Sequence, residues 1–198
     1  VTNKAAKGRK GAIVAIIKGT SAETVIDHIQ KISLSKRKKV QEITLDMAAN
    51  MEMIAKRCFP NASLVTDRFH VQKFAIEALQ DMRIAYRWQA IDDENKEVEL
   101  AKEIGKTHKP LILDNGDTHK QLLARSRYLL FKAENKWTPT QRFRAELLFN
   151  YYPNLEIAYK LTMQLKGIYE HTNDKNIALT RLARWYEAVE QSGFKTFS

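Results

Sequence analysis

The stretch from Val40 to Val71, VQEITLDMAANMEMIAKRCFPNASLVTDRFHV, constrains this chain more than any other. It reads as strand, helix, strand. Val40, Ile43 and Leu45 form a short apolar run that stops at Asp46, and Met47, Met51, Ile54 and Cys58 then recur at helical spacing. Pro60 and Asn61 break the chain, and Ser63 to Thr66 lead into Asp67. A helical crossover of this length makes the two strands parallel neighbours in one sheet. Each strand then carries an aspartate to its carboxyl end, the edge where open α/β sheets place ligands and catalytic groups.

The flanks extend this unit in opposite ways. Before it, Val1 to Lys4 and the apolar run Ala12 to Ile17 read as a hairpin around a glycine- and lysine-rich turn, the second strand short and continuous enough to be buried. Thr20 to Glu23 spells a capping box with Thr20 as N-cap, followed by a helix with Val25, Ile26, Ile29 and Ile32 on one face. A basic loop, Lys36 to Lys39, leads into the central strand. The expected order is β-β-α-β-α-β, with residues 12–71 in a mixed sheet. After Val71 every apolar pattern is helical. Thr138-Pro139-Thr140-Gln141 is a second capping box with proline at the first helical position, and Gly193 closes the last helix. The expected division is 1–71, a sheet portion, and 72–198, a helical array.

Charge suggests the partner. Net charge is +10, and residues 1–39 hold ten Lys or Arg against Glu23 and Asp27, so +8 of it sits in a fifth of the chain. Such asymmetry points to a polyanion, nucleic acid first, although a charge run can also be a solvated face. No apolar run approaches the length of a membrane span. The single cysteine, Cys58, excludes an intramolecular disulfide, suits a reducing cytoplasm and falls on the apolar helix face.

The chemistry on offer is narrow. There is no phosphate-binding glycine loop, no dinucleotide fingerprint, no zinc spacing and no serine elbow. Acidic residues at strand ends on a basic protein remain. Carboxylates there can hold Mg²⁺, which takes a few oxygens and keeps several waters, and such ions serve phosphodiester chemistry. On composition alone, the favoured reading of either aspartate is a helix cap.

These residues also carry a resemblance. The phrases NKAAKGRKGAIVAIIKGT, ITLDMAANM, FPNASLVTDRFHVQK, EALQDMR and RYLLFKAENKWT resemble bacterial insertion-sequence transposases of the DDE class, specifically the IS-L-three group in a Bacteroides-like branch, over essentially the whole chain. The resemblance implies an RNase H-like sheet bearing Asp, Asp and Glu, with a helical insertion before the glutamate helix. By that topology VQEITLD is the fourth strand. Asp46 is then the second catalytic aspartate and a metal ligand, with Asp67 as the competing assignment. Asp67 and His70 match a signature that follows the second aspartate in several such families. The first strand and its Asp are expected before Val1, and the Glu beyond Ser198; Glu187 and Glu190 are of the right type but lie at the end of the insertion.

The implied activity is cleavage and strand transfer of transposon DNA with Mg²⁺ or Mn²⁺, by an assembly of two or more copies in the bacterial cytoplasm, at the nucleoid. The fragment alone, with one catalytic carboxylate, is expected to be inactive. Lys7, Arg9, Lys10, Lys36, Arg37, Lys38 and Lys39 are expected to contact phosphates, with Arg125, Arg127, Arg142 and Arg144 as further candidates. A nuclease on the same fold and a non-catalytic DNA-binding or assembly module are the alternatives.

Overall fold

A computed structural model describes residues 1–194, which form two compact units, the first Val1–His70 and the second from Val71 onward. The chain is mixed α/β and mostly helical.

In unit 1 the central stretch folds as its spacing dictates. Strand β1 (Glu42–Leu45), helix α3 (Ala49–Cys58) and strand β2 (Ser63–Thr66) make a parallel crossover, with Leu45 opposite Thr66. Helices α1 (Ala22–Gln30) and α3 pack together around Val25, Ile26, Ile29, Ile54 and Cys58. Cys58 is fully enclosed, and burial pushes its thiol up, against the opposing pull of Arg37 and Arg57. Met47 lies outside α3 and is exposed, so the apolar face begins at Met51.

Four expectations need correction here. The mixed sheet over 12–71 is, among the described residues, a two-stranded parallel sheet of β1 and β2. The N-terminal hairpin exists only as a single antiparallel bridge, Thr2 with Ile13, flanked by the Asn3 N–H donating to the Ala12 carbonyl and Val14 N–H to that of Val1. Its apolar run is not buried, with Ile13 64% and Ile16 87% exposed, because no described strand or helix covers that face. The helix cap is Ser21, not Thr20, and its side chain makes no capping bond. Gly19, at φ 95°, turns the chain so that the helix starts one residue late. Glu23 then falls one position short of the capping-box site, and its carboxylate meets Arg57 at 3.2 Å. Finally, the basic loop is partly a helical turn, α2 (Leu34–Arg37).

Helix α4 (Arg68–Glu103) begins directly after Asp67 and runs into unit 2. The rest of unit 2 is α5 (His119–Arg125), α6 (Pro139–Tyr151), α7 (Pro153–His171) and α8 (Lys175–Ser192), with two short 3₁₀ turns after α5. No strand occurs among its described residues. Its core gathers Leu79, Leu122, Leu123, Leu130, Leu148 and Leu155 with others around Tyr159. The Thr138 cap forms as read: its hydroxyl accepts from Gln141 N–H, and Gln141 Oε1 accepts from Thr138 N–H. The Gln121 amide does the same for Thr118 N–H at the start of α5. Gly193 closes α8 at φ 68°, a left-handed position that suits glycine. No described helix is long and apolar enough to cross a membrane.

Candidate nucleic-acid site and its carboxylates

The parallel pairing sets the geometry of the site. Asp67 N–H donates to the Leu45 carbonyl at 2.7 Å, so the ladder ends with Asp46 and Asp67 leaving adjacent strands at the same carboxyl edge. Their surroundings differ. Asp67 directly precedes α4, is partly buried, and its Oδ1 accepts from the Phe69 N–H at 3.0 Å. His70 N–H closes the same turn on the Asp67 carbonyl, and the His70 ring meets Phe69 edge-on at 5.6 Å. Asp67 is therefore a helix cap, and His70 belongs to the turn it caps. Asp46 is exposed. Its Oδ1 accepts from Ala48 N–H at 3.1 Å across a short turn, while Ala48, not Asp46, occupies the cap position of α3. Among the described residues, each aspartate thus keeps one oxygen without a protein partner.

The pair offers hard oxygen donors to a cation. Mg²⁺ needs only one or two carboxylates when waters and phosphate oxygens complete its shell, so the donor set fits such an ion. Among the described residues no group of three or more His, Cys, Asp or Glu could hold a metal by itself.

Cations flank this sheet, not all of them at the carboxyl edge. Lys4 Nζ donates to Thr44 Oγ1 at 2.9 Å, two residues before Asp46 on the same strand face. That bond sets the N-terminal segment against β1. Lys7, Arg9 and Lys10 follow on its exposed turn, where Gly8 and Gly11 adopt φ 76° and 90°. Lys36, Lys38 and Lys39 are also exposed but precede β1, at the amino end of the strands, where Asn61 Nδ2 donates to the Lys38 carbonyl. Arg37 differs from these lysines in its contacts. Its guanidinium donates to the Ile32 carbonyl at 2.9 Å and to the Cys58 carbonyl at 2.6 Å, and is half-buried. It satisfies one of the carbonyls that the end of α3 leaves open, which is a fastening role.

The arginines of unit 2 divide similarly. Asp117, fully buried, binds Arg125, lies 3.5 Å from Arg144 Nε, and accepts from Asn115 Nδ2 at 2.9 Å. The turn read as Asp114 to Asp117 therefore carries an internal counter-ion, and Arg125 and Arg144 are spent on it. Arg142 donates to the Glu134 carbonyl. Among the described residues, Arg127 is the one of the four whose guanidinium forms neither a hydrogen bond nor an ion pair; it lies 5.5 Å over the Tyr128 ring. Glu187 and Glu190 sit on α8, in unit 2.

With this arrangement in view, comparison with known proteins identifies the class. The family model of the IS-L-three DDE transposases, described as a transposase, matches residues 1–198, and the chain belongs to that family. No curated protein and no solved structure matches it. A transposase acts on DNA, so DNA is the partner of this basic chain.

Proposed function

We propose that this chain is part of the catalytic core of a DDE transposase, that its sheet is a portion of an RNase H-like fold, and that Asp46 is a catalytic carboxylate. The observation that carries the reading is the parallel register that sets Asp46 and Asp67 side by side at the carboxyl edge. Exposure and position favour Asp46. Each aspartate spends one oxygen on a backbone N–H two residues on, but Asp67 is half-buried at the start of α4, whereas Asp46 is exposed and caps no helix. Asp46 would hold a divalent cation, Mg²⁺ or Mn²⁺, together with acids from elsewhere in the complete protein. Such an ion supplies Lewis-acid stabilisation of the phosphate and a water acidic enough to attack it. Lys7, Arg9, Lys10, Lys36, Lys38 and Lys39 bind the backbone of the transposon end and of the target, the last three at the amino end of the strands, away from Asp46. The reaction is cleavage to a 3′-hydroxyl and its transfer to target DNA, carried out by two or more copies of the complete protein in the bacterial cytoplasm, at the nucleoid. Residues 1–198 alone do not cut.

The test is cleavage of a transposon-end duplex by the complete transposase in Mg²⁺, with thermal melting of each variant alongside. Asp46→Asn abolishes cutting and joining and leaves melting unchanged, because the amide keeps the shape and removes the charge. Asp67→Asn lowers activity less, since asparagine also caps helices well. Normal cutting by Asp46→Asn beside a folded, inactive Asp67→Asn would move the catalytic role to Asp67.

A further inference from the structure

Unit 2 carries a cationic surface that its internal ion pairs leave open. Arg83 on α4 is buried and donates to the Leu123 carbonyl at 3.0 Å and to Gln80 Oε1 at 2.8 Å; Gln80 in turn donates to the Arg127 carbonyl at 3.3 Å. These bonds lock the segment after α5 onto one face of α4. Arg87 follows Arg83 by one helical turn on that face. Arg127 and Arg87 both stand close enough to act on the Arg83 guanidinium, whose pKa is lowered first by burial and then by these two charges. Neither Arg87 nor Arg127 forms an ion pair among the described residues.

Acids are scarce here. Ala78 to Ile91 holds one, Asp81, and Leu122 to Ala133 holds none. Aromatic surface accompanies the charge. Tyr128 is 68% exposed beside Arg127, and Trp88, next to Arg87, is 59% exposed. Apart from the contact of Arg127 with the Tyr128 ring, these gathered like charges gain nothing from one another in the folded chain. The combination matches a single-stranded nucleic acid, whose phosphates take guanidiniums and whose unpaired bases stack on rings.

We propose that this face of unit 2 binds an unpaired DNA strand, with its phosphates on Arg87 and Arg127 and a base on Tyr128. The inference rests on the DNA reading above and adds a second contact surface, separate in sequence from the basic segments of unit 1.

The experiment measures binding of residues 1–198 to a single-stranded oligonucleotide and to the matching duplex over a range of salt, by fluorescence anisotropy. Arg87→Gln with Arg127→Gln lowers the slope of log affinity against log salt on the single strand by about 1.4, two phosphates at ~0.7 each. Lys160→Gln, which removes a charge paired with Glu156 elsewhere in the unit, leaves the slope unchanged. Tyr128→Ala weakens single-strand binding about tenfold and duplex binding far less, because only unpaired bases can stack. Thermal melting of each variant matches wild type. If wild type binds DNA and the arginine pair leaves the slope unchanged, the surface is only solvated and the inference fails while the DNA reading stands. Equal losses on both substrates in Tyr128→Ala overturn the assignment to an unpaired strand. Absence of any salt-dependent DNA binding by wild type overturns the DNA reading and this inference together.

Discussion

Unit 1 and unit 2 solve the problem of burial differently. Unit 1 encloses a small cluster of five residues between two helices and leaves Ile13, Val14 and Ile16 in the open. Its sheet has two parallel strands, an arrangement that in most proteins is covered on both faces. Unit 2 encloses a larger cluster of twelve, with Leu122, Leu123, Leu130, Leu148 and Leu155 fully inaccessible. A domain of about 70 residues with a thin core has only a few kcal/mol to spare. The candidate chemistry thus sits in the weaker unit, held by polar fastenings such as Arg37, while the stronger unit makes its own core and binds its own counter-ions.

Truncation of one core leucine or isoleucine in each unit is the sharpest way to test this difference. Leu148→Ala is expected to cost about 4 kcal/mol, since a fully enclosed site cannot collapse. Ile54→Ala, in a cluster near the surface, is expected to cost about 2 kcal/mol. Urea denaturation gives both values, and an equal or reversed order breaks the comparison. Asp117→Ala comes next, at about 3 kcal/mol, near the low end for a broken buried pair because Arg125 can return to water. Arg37→Ala follows at about 2 kcal/mol, the worth of hydrogen bonds from a charged donor to two half-buried carbonyls. The loss should appear in melting, and Arg37→Lys should not restore it, because one ammonium cannot copy the fork. The smallest effect is Thr138→Ala, at about 1 kcal/mol for a lost cap. An Arg37→Ala variant that melts normally yet loses DNA affinity would return that residue to the phosphate contacts.

How much of this was legible before the structure depended on whether the signal was local. The crossover from Ile43 to Thr66 was readable because strand length, helical spacing and the Pro60 break all lie within the segment. The Thr138 cap was readable for the same reason. Thr20 was misread because the left-handed turn at Gly19 shifts the helix start by one residue, and a motif four letters long cannot show that. Arg37, Arg125 and Arg144 looked like free cations because charge is written in the sequence but the partner is not. The Cys58 carbonyl lies 21 residues from Arg37, and Asp117 lies 27 residues before Arg144. The burial of Gln80 and Arg83 is not legible in the sequence, because a polar pair in a helix looks solvent-facing until α5 is packed on it. The hairpin was over-read, since AIVAII has strand composition whether or not anything covers it.

The parallel register at the sheet edge also decides which insertions the gene can absorb. Residues added to the turn between Phe59 and Ala62 lengthen a connection and leave Leu45 opposite Thr66. Longer connections cost little, since closure entropy grows only slowly with length. One codon gained or lost inside Ser63–Thr66 is a different event. It turns Leu64 to the face that Val65 now presents and moves Asp67 one step from Asp46, because side chains alternate along a strand. Drift in length should therefore accumulate in the crossover turn and stop at both strands, and a library of single-codon insertions scored for transposition by the complete protein would show that boundary at Ser63.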